Sequence, residues 1–185
     1  MQKQLFVISG SSGVGKGTVI KRFLEQNPHF SLSISYATRP ARSGEVEGVN
    51  YFFRTREEFE AAVKNDEFLE WAEFAGNLYG TKKRFVEKTL AAGKNLILEI
   101  EIQGALQVKE KMPDAVLVFI YPPSLEELEA RLRGRNTDDE ESIQKRLDFV
   151  KQELEIAEQF DHKIVNDNIE NAVNQLINLS GGQPC

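Results

Sequence analysis

The sequence predicts an α/β layer fold, with a central, mostly parallel sheet flanked by helices and interrupted by two excursions. Three observations predict it. An apolar run at Leu5 to Ser9 enters the glycine-rich turn ISGSSGVGKGT (Ile8 to Thr18) and gives way to helical spacing. Further apolar runs recur downstream, two of them nearly continuous in apolar character, with helical patterns between them. Two polar stretches, one full of glycine turns and one of charge, break that alternation.

The chain opens as strand, loop, helix, because Val19, Ile20, Phe23 and Leu24 share one helical face until Asn27-Pro28 stops them. Leu96 to Ile102 (LILEIEI), Val116 to Tyr121 (VLVFIY) and Lys163 to Val165, followed by Asn166-Asp167, read as further strands. Between Ser31 and Lys83 lie glycine turns at Gly44, Gly48, Gly76 and Gly80, the run Tyr51-Phe52-Phe53, and one short helix that Thr55 and Glu58 cap. This stretch reads as an inserted small subdomain. From Ser124 to about Arg146, Ser124 and Glu127 form a capping pattern after Pro122-Pro123, and then come Arg131, Arg133, Arg135 and the acidic cluster Asp138 to Glu141. It reads as helix, exposed turn, helix. No internal repeat is visible, and the tail SGGQPC reads as loose.

A length of 185 residues with 41% hydrophobic and 28% charged residues suits one domain with a real core. The net charge of -6 argues against a polynucleotide or an anionic membrane as partner, while leaving room for local basic clusters. The single cysteine, Cys185, excludes an internal disulfide framework and fits a reducing compartment. No apolar run reaches membrane-spanning length and no secretory signal is visible, so the expected location is the cytoplasm.

Gly10, Gly15 and Lys16 satisfy the G-x-x-x-x-G-K pattern between a strand and a helix. Glycines let successive backbone N–H groups converge on phosphate oxygens at a helix N-terminus, and lysine adds a mobile positive charge. Gly17 stands where a serine or threonine is usual. Thr18 still offers a hydroxyl to phosphate or to a Mg²⁺-bound water, so a nucleoside triphosphate with Mg²⁺ is the expected ligand. The loop alone leaves hydrolase, switch and kinase open.

Arg39 and Arg42 lie three apart beside Pro40, with hydroxyl residues around them. Two guanidinium forks can enclose one phosphate, and Tyr51 and Tyr79 can donate to the same group. Solvated surface arginines and packing tyrosines are the competing reading of these residues in isolation.

Several ordered motifs carry a resemblance: GSSGVGKGT, S-x-x-T-R-x-x-R-x-G-E from Ser35 to Glu45, EFLEWAEF, NLYGT, EIEIQGA, and R-x-x-x-R followed by EES-x-x-K-R-L. Through them the chain resembles guanylate kinase over nearly its full length. The resemblance implies a phosphate-loop kinase core (1–32, 84–122 and 147–182), a GMP-binding insertion (33–83) and a helical lid (123–146). It implies transfer of the γ-phosphoryl group of ATP to GMP with Mg²⁺, and leaves the use of dGMP open. Gly10, Ser11, Ser12, Gly13, Val14, Gly15, Lys16, Gly17 and Thr18 would hold ATP, with Asn166 and Asp167 bordering adenine or forming an ordinary loop. Arg39, Arg42, Tyr51 and Tyr79 would hold the GMP phosphate, while Ser35, Glu70 and Thr81 face guanine. Glu99 and Glu101, where the family often has aspartates, belong to the site, either one ordering Mg²⁺-bound water together with Thr18. Arg131, Arg135 and Arg146 would be lid cations.

The chemistry agrees for Glu70, since a carboxylate only accepts and guanine offers two adjacent donors, N1–H and the exocyclic amine. A solvated glutamate is the competing reading. Two other functions stay in view: a protein-binding module of the same family that has lost catalysis, and a kinase for AMP or a sugar phosphate.

Overall fold

The structure, a computed structural model, describes residues 4–11, 13–133 and 140–182, except for the side chains of 131, 132, 140–142, 145, 146, 149 and 151. The elements run β1 (Leu5–Gly10), α1 (Lys16–Gln26), β2 (Phe30–Leu32), β3 (Tyr36–Ala37), β4 (Phe52–Phe53), α2 (Arg56–Lys64), β5 (Phe68–Phe74) and β6 (Asn77–Lys82). Then follow α3 (Lys83–Ala91), β7 (Asn95–Glu99), α4 (Ile102–Lys111), β8 (Val116–Tyr121), α5 (Leu125–Arg133), α6 (Glu140–Ile156), β9 (His162–Val165) and α7 (Ile169–Leu179). One sheet has the order β2-β7-β1-β8-β9, with β2 parallel to β7 and β8 parallel to β9. A second sheet has the order β4-β3-β6-β5. Among the described residues no helix is long and apolar enough to cross a membrane.

Contacts divide the chain into two compact units, with divisions inside β1, between Pro28 and His29, and inside β8. The unit formed by Ile8–Pro28 and the chain from Leu117 onward holds α1, which buries Val19, Ile20 and Phe23, and α7, which buries Ala172, Val173, Leu176 and Ile177. That spacing is the amphipathic stripe expected of surface helices. Asn27 ends α1 by donating from Nδ2 to the Phe23 carbonyl at 2.9 Å, one residue before Pro28 forbids continuation. Ser124 caps α5 as expected, accepting from the Glu127 amide at 3.1 Å, and Leu128 packs with Ile143, Leu147 and Val150 of α6.

The other unit, the chain up to Val7 with His29–Val116, contains the second sheet. The expected capping box is present: the Glu58 amide donates to Thr55 Oγ1 and the Thr55 amide to Glu58 Oε2, starting α2. Under α2, Phe59, Ala62, Phe68 and Leu78 form a small core in which the Phe59 and Phe68 rings stack at 4.3 Å. Strand β5 is an edge strand and carries a bulge. Phe68 pairs with Lys82 but Glu70 with Thr81, so Leu69 is an extra residue. A regular strand would put Phe68 and Glu70 on one face; the bulge sends Phe68 into the apolar core and frees Glu70 from it.

One expected element is corrected. LILEIEI is not a single strand, because β7 ends at Glu99 and α4 begins at Ile102, with Glu101 in extended conformation as its N-cap. Ile102, Ala105 and Val108 are buried at helical spacing, and that stripe overrides the local alternation.

Candidate active site

The glycine-rich turn closes β1 and opens α1. Gly10 has φ 153°, and a Cβ there would run into the Ile120 carbonyl of β8, so the close strand contact requires glycine. Gly15, at φ 91°, is the N-cap of α1 and offers no side-chain cap, so no capping side chain occupies the helix N-terminus where an anion would bind, while the Thr18 amide donates to the Gly15 carbonyl at 3.1 Å. The Val14 amide donates to the Ser11 carbonyl at 3.2 Å, and Lys16 Nζ donates back to the Gly10 carbonyl, curling the lysine over its own loop. Buried Ser11 Oγ has no partner. Asn166, 4% exposed, donates from Nδ2 to the Val14 carbonyl at 2.7 Å, and a Cβ at Gly15 would lie 2.9 Å from the same nitrogen. Asn166 thus braces the loop from behind. Asp167 accepts from the Asn168 amide at 2.6 Å just before α7. Ser12 lies outside the described residues.

In the other unit, one cavity is lined by Ser35, Arg39, Arg42, Tyr51, Glu70, Tyr79, Glu99 and Glu101, together with Ala72, Phe74, Gly80 and Ile100. Residues scattered over 67 positions of sequence converge because β3, β5 and β6 are neighbours and β7 and α4 supply the remaining wall. The Arg39 fork is held by Glu45, Nη1 to Oε2 at 2.6 Å and Nη2 to Oε1 at 2.7 Å, and the guanidinium lies 4.9 Å from the Tyr51 ring centroid. Glu45 also accepts from the Arg42 amide at 2.8 Å, tying the two arginines into one turn. Its carboxyl is held down at about 2, first by the Arg39 hydrogen bonds and then by the Arg42 amide. Burial raises the Tyr51 hydroxyl above its usual range, and the negative charge of Glu99 adds to this.

Glu70 is the electrostatic anomaly of the cavity. It is 3% exposed, and burial pushes its carboxyl up to about 7. Thr81, its register partner, lies close enough to oppose that shift, yet Glu70 Oε1 and Thr81 Oγ1 each remain without a completed hydrogen bond. The other oxygen, Oε2, abuts Gly104 so closely that a Cβ there would overlap it. A buried acceptor with no partner, aimed at a cavity, is suited to a ligand that brings donors.

Most of the expected acceptor residues therefore meet in one cavity. Thr81 differs, being fully buried behind that wall and not lining it. Arg135 and the side chains of Arg131 and Arg146 lie outside the described residues, as does Cys185. Two contributors have no role in the sequence reading. Glu45 closes the quoted S-x-x-T-R-x-x-R-x-G-E motif, and Gly104 lies inside EIEIQGA. An acidic residue three beyond Arg42 was the available signal for Glu45; for Gly104 there was none, because close approach is a tertiary fact.

The guanylate kinase family model matches residues 2–180. The chain is 51% identical to the guanylate kinase of Synechocystis sp., over 96% of this chain and 93% of that protein. It is 46% identical to that of Halalkalibacterium halodurans, over 98% and 89%. Among solved structures, guanylate kinase from Anaplasma phagocytophilum superposes with a TM-score of 0.80 at 34% identity, covering 97% of this chain and 85% of that one. Shikimate kinase from Bacteroides thetaiotaomicron shares the fold, with a TM-score of 0.51 at 18% identity over 96% and 98% of the two chains. With a family model spanning nearly all its residues and relatives near half identity, the chain belongs to the guanylate kinase family.

Proposed function

We propose that the chain transfers the γ-phosphoryl group of ATP to GMP, giving ADP and GDP. The observation that carries this reading is the cavity itself, with paired cations and phenols among its lining residues and a buried carboxylate at Glu70 whose Oε1 has no hydrogen-bond partner. A nucleoside monophosphate with two base donors complements both features.

Phosphoryl transfer needs the acceptor oxygen, phosphorus and leaving oxygen in line, and charge on the transferring group neutralised. The loop amides and Lys16 hold the donor phosphates. Arg39 and Arg42, with Tyr51 and Tyr79, hold the acceptor phosphate, and Glu70 with Ser35 orients guanine, with Thr81 acting on guanine only through Glu70. Ionised Glu70 accepts from both guanine donors, whereas adenine would set its N1 lone pair against a buried carboxylate, a mismatch able to discriminate by orders of magnitude. Arg131, Arg135 and Arg146 act as lid cations that neutralise the phosphates, and water exclusion protects ATP from hydrolysis.

Among the described residues no group of three or more acidic, histidine or cysteine side chains could enclose a metal ion. That donor set fits Mg²⁺ held chiefly by substrate phosphates and water, with Thr18 and one of Glu99 and Glu101 reached through water. When bound, Mg²⁺ neutralises phosphate charge and helps align the donor.

ADP release measured with GMP, dGMP, AMP and UMP as acceptors tests the reading, with GMP expected to be preferred. Lys16→Ala and Arg42→Ala are each expected to lose most turnover while staying folded, and Glu70→Gln to erode the preference for GMP over AMP. Equal use of AMP by the unsubstituted enzyme would overturn the assignment.

A further inference from the structure

We propose that Gln107 and Lys111 of α4 clamp the bulged edge of β5 and thereby aim the Glu70 carboxylate, making them positioning residues for acceptor selection. The proposal rests on Glu70 reading guanine.

An edge strand leaves one row of backbone donors and acceptors without strand partners. At β5 a helix takes the place of the missing strand. Gln107 donates from Nε2 to the Trp71 carbonyl at 2.8 Å and accepts at Oε1 from the Trp71 amide at 3.2 Å, the two-way exchange that a neighbouring strand would make. Lys111 Nζ donates to the carbonyl of Leu69, the bulge residue, at 2.5 Å. These contacts hold the residues on either side of Glu70. Gly104, three positions before Gln107, bounds its carboxylate. Gly104, Gln107 and Lys111 are i, i+3 and i+7, so a single helix face does all three tasks.

Two observations separate positioning from general stability. Trp71 is 39% exposed, so the Gln107 contacts do not serve to bury its ring. Lys111 also stands near enough to Glu70 for its charge to favour the ionised carboxylate. The N-cap of α4, Glu101, also lines the cavity, so the same element bears on two of the cavity's carboxylates.

The test uses steady-state kinetics of the full chain. Gln107→Glu is isosteric and removes the donor to Trp71, and Lys111→Met removes the bond to Leu69. Lys111→Met is expected to raise KM for GMP about tenfold, the loss expected for a part-buried, charge-assisted hydrogen bond, and Gln107→Glu, at exposed hydrogen bonds, severalfold. The kcat at saturating GMP and KM for ATP should hold, and Lys111→Arg should restore the GMP value. Adding Lys111→Met to Glu70→Gln should cost nothing further, because both act through one carboxylate. Unchanged KM for GMP in both clamp variants would overturn the proposal, as would a joint loss of kcat, both KM values and melting temperature. Glu70→Gln, assayed alongside, separates the two ideas. If it alone disturbs the choice between GMP and AMP, only the clamp fails; if it disturbs nothing, the base reading fails and the clamp with it.

Discussion

Arg39 and Glu45 meet fork to fork, with both guanidinium Nη atoms within 2.7 Å of the two carboxylate oxygens, and Arg39 lines the cavity proposed to take the acceptor phosphate. Glu45 fixes the direction of the guanidinium in advance, and through the Arg42 amide it fixes the turn that carries the second arginine. Glu45→Gln is expected to raise KM for GMP severalfold and leave KM for ATP unchanged, because the amide cannot receive both Arg39 donors and the Arg42 amide. A GMP titration of the two proteins at one ATP concentration checks this, and equal KM values would remove Glu45 from the acceptor machinery. The folded-state carboxyl lies at about 2 against an ordinary 4.5, so its contribution to stability is present above 4.5 and is lost as pH falls through 2.

Glu70 shows the opposite sign. Its carboxyl is raised from 4.5 to about 7, so between those values the folded protein holds a proton that the unfolded chain has released, and stability falls as pH rises through that window. Guanine selects the ionised form, so KM for GMP is expected to fall as pH climbs toward and past 7 and to level off above it. The GMP phosphate titrates nearby, and Glu70→Gln is the control that retains that titration and loses the carboxyl. Parallel pH profiles in the two proteins would contradict the assignment.

Gly104 leaves room for one carboxylate oxygen. Gly104→Ala places a methyl where Glu70 Oε2 lies, and KM for GMP is expected to rise at least about tenfold, while the helix itself gains propensity worth about 1 kcal/mol from alanine. Kinetics and a thermal melt together are diagnostic. Weakened GMP binding in a protein that melts normally is the expected pair, and unchanged GMP binding would mean that the carboxylate is not held there.

Asn166 supports the donor loop through the Val14 carbonyl and packs against Gly15. Asn166→Ala removes a buried hydrogen bond, for a stability loss of about 1–3 kcal/mol. It is expected to raise KM for ATP with little change in KM for GMP. A change confined to GMP would show that the brace serves something other than the donor.

The α/β class, the helix capped by Thr55 and Glu58, the loop at Gly10 to Lys16 and the cations Arg39 and Arg42 were legible in the sequence, because capping, glycine spacing and apolar periodicity are local signals. Strands β3 and β4, two residues each, were not, since two residues carry no period. LILEIEI was misread for a related reason: alternation continues through Glu101, but burial of Ile102, Ala105 and Val108 on one helical face decides where the strand stops.

The sequence by itself determined which chemical groups this protein brings to a nucleotide: a phosphate loop, two arginines, two tyrosines and a carboxylate that accepts but cannot donate. Only the tertiary structure decided what state those groups are in. The bulge at Leu69 turns Glu70 away from the apolar core, burial raises its carboxyl, and α4 brings Gly104, Gln107 and Lys111 against the strand that carries it. Dielectric, register and close approach arise only when distant segments meet, so no local pattern could have encoded them.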